Sequence, residues 1–286
     1  MKISIITINW NNAKGLERTI ESVVNQTYKN IEYIVIDGNS NDGSVDVIKK
    51  YADKLTYWIS EPDKGIYNAM NKGALQASGD YSLFLNSGDK LITPQALETI
   101  VNKGKPTADI VSCDLFTDKQ LRINFRQAPR KCPSELFMMM HNPIPHPSTL
   151  IKTSVIKKSL YNEESRIAGD YMFFFDQLII NKCSYQHIPI PLSLFYLDGI
   201  SSSDGNKKGW KEGVSYLEGY IHPKIVEGIK QRPSKKEYIL SNAKLELTKT
   251  SFNILYTIYI LLKKIEYHII YPIRSIYKNI KYKHTK

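Results

Sequence analysis

Two aspartates in the N-terminal third of the chain follow strand-like segments, at positions where they could contact a ligand. Asp37 follows an apolar run and precedes several turn residues, and Asp89 closes the tetrapeptide Asn86-Ser87-Gly88-Asp89. Asp37 could accept hydrogen bonds from the base or ribose of a nucleotide. Asp89 could ligate a hard divalent cation, which prefers oxygen ligands and is often shared with substrate phosphates. Asx-Gly pairs are also common in turns, so the pattern alone leaves a ligand site and a structural turn both open.

The elements that would position these residues alternate between strand-like and helix-like segments. Strands are predicted at Ile3–Asn9, Ile31–Asp37, Leu55–Ser60 and Tyr81–Leu85, and helices at Gly15–Gln26, from Ser44 as a cap to about Tyr51, at Ile66–Ala77 and from Pro94 onward. This βαβα alternation predicts an α/β fold with a mostly parallel sheet that helices cover on both faces. Ligands of open α/β sheets bind beyond the carboxyl ends of the strands, which is where Asp37 and Asp89 fall.

The alternation becomes irregular beyond residue 109. Further strands are predicted at Asp109–Phe116, Gln120–Arg126, Ser148–Lys152, Tyr185–Ile190 and Leu194–Leu197, with a helix at Asp170–Asn181. From about Gly205 the pattern turns helical and basic. We therefore predict a domain over residues 1–205 and a separate helical, basic extension over residues 206–286.

The common nucleotide- and metal-binding signatures are absent from the sequence. There is no G-x-G-x-x-G after the first strand, no G-x-x-x-x-G-K-[ST] and no H-E-x-x-H. Dinucleotide-binding, P-loop and zinc-protease functions therefore lose their main support. The stretch that begins at Asp37 superficially resembles a calcium loop, but Asp42 replaces the required glycine and Ile48 the final glutamate. We therefore reject a calcium loop.

The positive charge is concentrated at the C-terminus. The formal net charge is +11, and residues 250–286 carry seven Lys or Arg against one Glu. A basic tail is attracted to phosphate, either of lipids or of nucleic acid. Apolar positions from Leu255 to Ile265 share one helical face with flanking tyrosines and lysines, which suits a membrane–water interface. A helix packed on the first domain explains the same pattern.

Three features bear on where the protein works. The longest apolar run of the tail, Ser251–Leu262, is shorter than the roughly 20 residues that a spanning helix needs. The three cysteines lack metal-ligand spacing, which indicates a reducing compartment. The N-terminus enters a strand-like run without a cleavage site, so we expect no signal peptide. We predict a cytoplasmic protein that associates peripherally with the inner face of the plasma membrane through its tail.

Four blocks of sequence, in order, resemble glycosyltransferase family 2, and most closely its bacterial polysaccharide-synthesis members. They are Ile3–Trp10 (ISIITINW), Ile34–Ser44 (IVIDGNSNDGS), Glu61–Gly73 (EPDKGIYNAMNKG) and Leu83–Asp89 (LFLNSGD). The resemblance covers roughly residues 1–205, and the joint occurrence of four blocks is far more specific than any one of them. It implies a GT-A fold and inverting transfer of a sugar from a nucleotide-diphosphate sugar.

The resemblance assigns the donor side to residues that match these motifs. Thr7 and Asn9 would line the nucleotide pocket, and Asp37 would contact the base. Gly38 stands where many members have a second aspartate. Asp63 and Lys64 would sit beside the nucleotide and its phosphates. The nearby Asn68, Asn71 and Lys72 are expected to be helix-surface or packing residues.

The resemblance also implies a metal ion and a general base. At the place of the family's acidic triplet this sequence has Asn86-Ser87-Gly88-Asp89, so Asp89 is the one acidic position of the motif that is retained. We expect Asp89 to hold Mg²⁺ or Mn²⁺ together with the donor diphosphate, and Asn86 to bind the nucleotide sugar. Asp170, in the segment Ile167–Tyr171, matches the carboxylate that takes the acceptor proton and is our choice for the base. Asp176, two turns further on, is its rival.

Two further segments resemble family segments near the acceptor and the donor phosphates. His146, in Pro145–Thr149, could contact the acceptor or a phosphate, or could be structural between its prolines. Gly199 and Ser201 belong to a stretch that resembles a mobile segment closing over the donor. Lys207 and Lys208 beyond it could reach a phosphate or form a solvated loop.

These observations predict an EC 2.4 hexosyltransferase of capsule, O-antigen or exopolysaccharide assembly with a saccharide acceptor, expected to be lipid-linked. One alternative is a sugar-1-phosphate nucleotidyltransferase, but the Trp10–Gly15 loop lacks the basic, glycine-rich character it needs. A nucleic-acid-binding protein is disfavoured because the charge lies outside the core and no recognised motif is present. A catalytically inactive saccharide- or nucleotide-binding relative is a further alternative, because the metal motif retains one acidic residue, Asp89.

Overall fold

The computed structural model describes residues 1–119, 122–197 and 205–220. Nine strands within these residues form one sheet: β1 (Ile3–Asn9), β2 (Ile31–Asp37), β3 (Tyr57–Ser60), β4 (Tyr81–Phe84), β5 (Lys90–Leu91), β6 (Ile110–Lys119), β7 (Arg122–Arg126), β8 (Thr149–Lys152) and β9 (Tyr185–Tyr196). Their spatial order is β3-β2-β1-β4-β8-β6-β9-β5, and β7 pairs with β6.

The sheet is parallel in its first half and mixed in its second. Strands β3, β2, β1 and β4 all run in one direction. β8 is antiparallel to both of its neighbours, β4 and β6. β9 is parallel to β6 and antiparallel to β5. The predicted α/β architecture is therefore confirmed, and the parallel pairing is concentrated in the N-terminal half.

Helices lie in the connections. They are α1 (Ala13–Val24), α2 (Ser44–Lys50), α3 (Ile66–Gln76), α4 (Ala96–Thr99), α5 (Glu135–Met140), α6 (Thr153–Lys158), α7 (Gly169–Phe175) and α8 (Gly205–Leu217). α4 and α7 continue as π-helical turns at Ile100–Gly104 and Asp176–Ile180, and short 3-10 turns occur at Ala52–Lys54 and His146–Ser148.

The central strands are buried on both faces. Successive side chains point to opposite faces of the sheet, and helices cover both faces. Ile6, Ile34 and Phe84 point to the layer that contains α3 and α7. Ile5 and Leu83 point to the opposite layer, which contains α1, α2 and α4. Two apolar cores therefore enclose the sheet, and they hold the carboxyl ends of its parallel strands at one edge.

The sequence pattern was wrong in several local details. The two final predicted strands form one continuous strand, β9. Its prolines interrupt the pairing with β6 where the register shifts around Asp114, and they made the sequence look like two strands. Gly43, not Ser44, is the N-cap of α2, and the Ser44 hydroxyl instead donates to Asp42. The helix expected from Pro94 begins only at Ala96. The short elements β5 and α6 had no recognisable periodicity.

Of the predicted C-terminal extension, the structure describes α8 and the residues up to Tyr220. This helix contacts α7, and the predicted interfacial helix lies outside the described residues. Within residues 1–119, 122–197 and 205–220, no helix has both the length and the apolar character that crossing a bilayer would require.

Candidate functional site

The carboxyl ends of three adjacent strands carry a row of hydrogen-bonded polar side chains. The register pairs Asn9 of β1 with Asp37 of β2, and Asp37 with Ser60 of β3. The Asp37 carboxylate accepts from Asn9 Nδ2 at 2.7 Å and from Ser60 Oγ at 2.6 Å. It also accepts from Ser40 Oγ at 2.6 Å and Ser40 N at 3.0 Å. The row therefore fixes the loop that follows β2.

Asp37 is fully enclosed in this row, with 0% of its surface exposed. Burial by itself raises the pKa of Asp37, but the hydrogen bonds from Ser40, Ser60 and Asn9 together outweigh it and lower the pKa. The carboxylate is therefore ionised at neutral pH, and both of its oxygens already have protein donors. Asp37 organises the edge, and a ligand would meet the atoms that Asp37 holds in place.

Asn9 presents the atom of this row that has no hydrogen-bond partner among the described residues. Its amide nitrogen donates to Asp37, which directs Oδ1 the other way, and Oδ1 is buried and unpaired. Leaving a buried acceptor unpaired costs about 1–3 kcal/mol. A hydrogen-bond donor on a ligand would satisfy it.

Gly38 allows a carboxylate and an indole ring to approach the end of β2. A Cβ at position 38 would lie 3.0 Å from Asp63 Oδ2 and 3.3 Å from Trp10 Cδ1. Trp10 is 67% exposed. Lys72, expected to be a surface or packing residue, forms ion pairs with Asp63 and Glu61 at 2.7 Å each. The absence of a second aspartate therefore makes room for Asp63 and Trp10.

Thr7 and Lys64 occupy contrasting positions around this edge. Thr7 is fully buried, and its hydroxyl donates to the Leu85 carbonyl at 2.8 Å and lies 3.1 Å from the Tyr33 hydroxyl. Lys64 has an exposed side chain, and its backbone N–H donates to Asn68 Oδ1. Thr7 is thus directed into the core, and Lys64 toward solvent.

The turn that follows β4 lies beside the end of β1, because Ser87 N donates to Ile8 O at 3.0 Å. Thr19 of α1 holds the turn from beneath: its hydroxyl donates to Asp89 O at 2.6 Å and accepts from Gly88 N at 3.0 Å. The Asp89 carboxylate accepts from Tyr196 N at 3.2 Å. The hydrogen bond from Tyr196 thus fixes the turn after β4 against the last residue of β9.

An arginine adds a positive charge beside the same turn. Arg18 Nε donates to Gly88 O at 2.9 Å. The Arg18 guanidinium also stacks over the Tyr196 ring, 3.9 Å from its centroid. A cation over an aromatic face is attracted by the ring quadrupole, which holds this charge in place.

A divalent cation fits the turn only as a site shared with a ligand. Within the described residues no group of three His, Cys, Asp or Glu is arranged to hold a metal. The turn nevertheless offers the Asp89 carboxylate and Asn86 Oδ1, which is buried and has no hydrogen-bond partner among those residues. Both are oxygen donors, the type that Mg²⁺ uses together with substrate phosphates.

Asp170 lies in the first turn of α7 and is half-buried. Its Oδ1 accepts from its neighbour Tyr171 N at 2.8 Å and lies 3.3 Å from the Tyr67 hydroxyl, which donates to the Ile167 carbonyl at 2.7 Å. Its Oδ2 accepts from Asn142 Nδ2 at 3.5 Å. Tyr67 lies in the first turn of α3, which follows the loop that contains Asp63. Asp170 therefore lies near the amino end of α3, the helix that follows β3.

Helix α8 supports the loop that leads into Asp170. Glu212 Oε2 accepts hydrogen bonds from Ser165 Oγ at 2.8 Å and from the backbone N–H groups of Arg166, Ile167 and Ala168 at 3.2, 3.0 and 3.1 Å. Burial raises the pKa of Glu212, but these hydrogen bonds outweigh it and lower the pKa. An ionised carboxylate therefore organises four donors immediately before the base candidate.

His146 and Asp176 are held in packing contacts. His146 is buried, stacks on Phe84 with ring centroids 5.4 Å apart, and lies 2.8 Å from the Tyr161 hydroxyl. Burial lowers the pKa of His146, although the charge of Asp170 opposes this. Burial raises the pKa of Asp176, which accepts a hydrogen bond from Tyr216 of α8. His146 is therefore neutral at pH 7, in an aromatic core.

The structure brings together most, but not all, of the predicted site residues. Asn9, Asp37 and Asp63 converge at one edge, with Asn86 and Asp89 beside them and Asp170 near Tyr67 in the first turn of α3. Gly199 and Ser201 lie outside the described residues, as does the side chain of Lys207, whereas Lys208 is exposed on α8. These roles remain predictions.

Several contributors to the site were not predicted. Ser40, Ser60 and Tyr67 lie in or beside the matched blocks, so their positions at strand and helix ends offered a signal. Arg18 and Tyr196 are distant in sequence from the turn they support. They required the tertiary fold.

Comparison with known proteins agrees with this arrangement. The family model "Glycosyl transferase family 2" matches residues 4–177, more than half of the chain. An uncharacterized glycosyltransferase of Mycobacterium tuberculosis is 33% identical over 206 residues, which cover 70% of this chain and 77% of the relative. A Campylobacter jejuni protein named GalNAc(5)-diNAcBac-PP-undecaprenol beta-1,3-glucosyltransferase is 26% identical over 246 residues, or 83% and 78% of the two chains.

A solved structure shares the fold. The mannosyltransferase PcManGT of Pyrobaculum calidifontis, in complex with GDP-Man and Mn²⁺, superposes with a TM-score of 0.63 over 91% of this chain and 80% of that one. At 14% identity this similarity shows the GT-A-like fold alone. Taken with the family match, it establishes that this chain is a glycosyltransferase that belongs to glycosyltransferase family 2.

Proposed function

We propose that this protein transfers a sugar from a nucleotide-diphosphate sugar to a saccharide acceptor, with inversion at the anomeric carbon. The observation that carries the proposal is the shared edge of the sheet. There the Asn9–Asp37–Ser60 row and the Asn86–Asp89 turn lie at the carboxyl ends of adjacent strands, and Asp170 lies 3.3 Å from Tyr67, which is in the first turn of the helix that follows β3. A donor bound across the strand ends would present its sugar between the turn and Asp170.

The nucleotide would bind to the strand-end row. Asn9 Oδ1 is a buried acceptor without a partner in the described part of the chain, and an N–H of the base would supply its hydrogen bond. The exposed Trp10 ring offers a stacking surface beside Gly38. Asp37 would act by holding Asn9 and the Ser40 loop in place, and Asp63 would approach the ribose from the other side.

Mg²⁺ or Mn²⁺ would be held by Asp89 and Asn86 together with the donor diphosphate. When bound, the ion would neutralise the charge that develops on the leaving nucleotide diphosphate. Thr19, Tyr196 and Arg18 fix the shape and charge of the turn around those ligands. With a single protein carboxylate we expect the metal to bind weakly until the donor is present.

Asp170 would act as the general base. As the acceptor hydroxyl attacks the anomeric carbon, its proton passes to the Asp170 carboxylate, a new C–O bond forms and the bond to the diphosphate breaks. The nucleotide diphosphate leaves with the bonding electrons, and attack from the opposite face inverts the configuration. The Tyr171 N–H and Asn142 Nδ2 donate to the two Asp170 oxygens and would orient them for this step.

The acceptor is proposed to be a lipid-linked saccharide used in capsule, O-antigen or exopolysaccharide assembly. The name of the Campylobacter jejuni relative describes a glucosyl transfer to a saccharide on undecaprenol diphosphate. A lipid-linked acceptor would place this protein at the cytoplasmic face of the plasma membrane.

The proposal is tested by a panel of UDP-, GDP-, CMP- and dTDP-sugars, each with and without Mn²⁺, scored by thermal shift and by release of free nucleotide. One nucleotide class should stabilise the protein by about 2.7 kcal/mol at a hundredfold excess over its Kd. Asp89→Ala should abolish the metal dependence, whereas Asp46→Ala, an exposed carboxylate on α2, should not. Absence of both stabilisation and release with every donor would contradict the proposal.

A second candidate function rests on the thinned metal motif. Because Asp89 is the one carboxylate of the turn, a protein that binds a nucleotide sugar without turning it over is also consistent with the site. The same panel separates the two functions. Stabilisation by a donor without release or transfer of its sugar would favour the inactive relative.

A further inference from the structure

A basic, apolar ribbon projects from the second half of the sheet. β6 and β7 pair in antiparallel register from Leu115 with Arg126 to Lys119 with Arg122. All five residues of β7 are exposed. Ile123 is 63% exposed and Phe125 54%, and because they are two residues apart in a strand they share one face. Two large apolar side chains are thus presented together.

The charge of this segment has one sign. Between residues 119 and 131 the sequence has five basic residues and no acidic one: Lys119, Arg122, Arg126, Arg130 and Lys131. Within the described part of the chain, none of these five belongs to an ion pair. The nearest carboxylate along β6, that of Asp118, is buried. By the same alternation Arg122 and Arg126 lie on the opposite face of β7, so the ribbon is amphipathic, with an apolar face and a basic face.

We infer that the β6–β7 ribbon is a docking surface for an anionic lipid bilayer. The interface of a bilayer accepts apolar side chains to the depth of the head groups while anionic lipids attract basic residues around them. A second copy of this chain fits less well, because it carries a net charge of +11 and presents the same basic ribbon. The charge complementarity selects the bilayer.

The base of the ribbon adjoins the proposed catalytic base. Arg126 Nη2 donates to Asn142 O at 3.0 Å and to Pro143 O at 3.4 Å, and Asn142 in turn donates to Asp170. Arg126 is exposed as a whole residue, but desolvation of its guanidinium lowers the pKa of that group, and the charge of Asp170 acts in the opposite direction. A bilayer on the ribbon would therefore lie on the Asp170 side of the site. Delivery of a lipid-linked acceptor to Asp170 is the part of this inference that rests on the proposed function.

Vesicle flotation of the full chain, without any sugar donor, tests the surface directly. The vesicles are phosphatidylcholine alone and phosphatidylcholine mixed with phosphatidylglycerol. We expect Lys119→Glu combined with Arg122→Glu to weaken binding to the mixed vesicles at least about tenfold, since each basic residue contributes about fivefold. The matched control is Lys157→Glu combined with Lys158→Glu. It makes the same change of net charge on exposed residues of α6, beside the amino end of β4.

The apolar contribution has its own pair of variants. Ile123→Ser with Phe125→Ser should also weaken binding about tenfold, whereas Leu75→Ser with Ile180→Ser, which are 53% and 47% exposed in the wild type, should leave it unchanged. Binding equal to that of wild type in both ribbon variants would overturn the inference, and would assign any vesicle binding to another part of the chain. A change in sedimentation from dimer to monomer with unchanged vesicle binding would likewise overturn it, and would make the ribbon an interface between copies. Because no donor is used, either failure is independent of the transferase proposal.

Discussion

The strand-end row around Asp37 and the helix start around Asp170 hold their carboxylates in opposite ways. Asp37 is fully buried and has four protein donors at 2.6–3.0 Å. Asp170 is half-buried, and its two contacts from other elements, with Tyr67 and Asn142, are 3.3 and 3.5 Å long. Short bonds from all sides suit a carboxylate that shapes a binding surface. Longer bonds suit one that must accept a proton during turnover.

Removing the Asp170 charge tests this contrast most strongly. Asp170→Asn is isosteric and keeps an oxygen acceptor, but it cannot take the acceptor proton, so we expect kcat to fall about 10²- to 10⁴-fold. The midpoint of thermal unfolding and the Kd for the donor should stay near the wild-type values. Asp176→Asn, in the π-helical turn that follows α7, is the control and should keep most activity. Wild-type kcat in Asp170→Asn would assign the base elsewhere.

Asp37→Ala should have the opposite profile, with a large loss of stability. The substitution leaves the donors of Asn9, Ser40 and Ser60 unpaired in a site from which water is excluded, which costs about 3 kcal/mol in the free energy of unfolding. Donor binding should weaken as well, because Asn9 loses its orientation. Chemical denaturation measures the first effect, and Asp46→Ala serves as the exposed control. A stability loss below about 1 kcal/mol would mean that water replaces the carboxylate.

The contacts around Asp170 are long, but the loop that precedes it is held firmly by hydrogen bonds to Glu212 of α8. Gly209 makes this docking close, since a Cβ there would lie 2.9 Å from Ile167 Cγ2. Glu212→Ala should cost about 2 kcal/mol and speed hydrogen exchange of the amides of residues 166–168 about tenfold or more. Glu212→Gln keeps an acceptor oxygen and should restore most of the protection. Lys211→Ala, exposed on the same helix, should not change the exchange.

The same contrast shows what could be predicted from the sequence. The parallel half of the sheet was predicted with accurate strand positions because Ile3–Asn9 and Ile31–Asp37 are continuous apolar runs bounded by turn residues. Residues at their carboxyl ends must share an edge, so the position of Asn9 beside Asp37 followed from local patterns, whereas the hydrogen bonds from Ser40 and Ser60 were not predicted. The support of Asp170 did not follow from the sequence, because Tyr67 and Glu212 reach it from α3 and α8, and no local pattern encodes such pairings.

Acid should weaken the strand-end row in a predictable window. The folded-state pKa of Asp37 is below its unfolded value, so its contribution is fully present above about pH 4 and is lost as the pH falls through the folded pKa. Glu32, at the amino end of the sheet, also has a lowered pKa, of about 2, and should contribute in the same direction. Unfolding measured between neutral pH and pH 3 should therefore show declining stability below about pH 4. Asp37→Ala should reduce this slope by at most about 1.4 kcal/mol per pH unit, and an unchanged slope would contradict the assignment.

The smallest effect is expected for Gly38→Ala, which should weaken donor binding at the strand-end row with little change in stability. In Gly38→Ala the new Cβ would sit 3.0 Å from Asp63 Oδ2 and 3.3 Å from the Trp10 ring, so these two groups must shift by a few tenths of an ångström. We expect the free energy of unfolding to change by less than about 1 kcal/mol, and the Kd for the donor to rise about three- to tenfold. Gly219→Ala, where a Cβ makes an ordinary 3.6 Å contact, controls for the general effect of replacing a glycine. If Gly38→Ala binds the donor as tightly as wild type, Trp10 and Asp63 do not contact the nucleotide, and the binding surface reduces to Asn9 and the turn at Asp89.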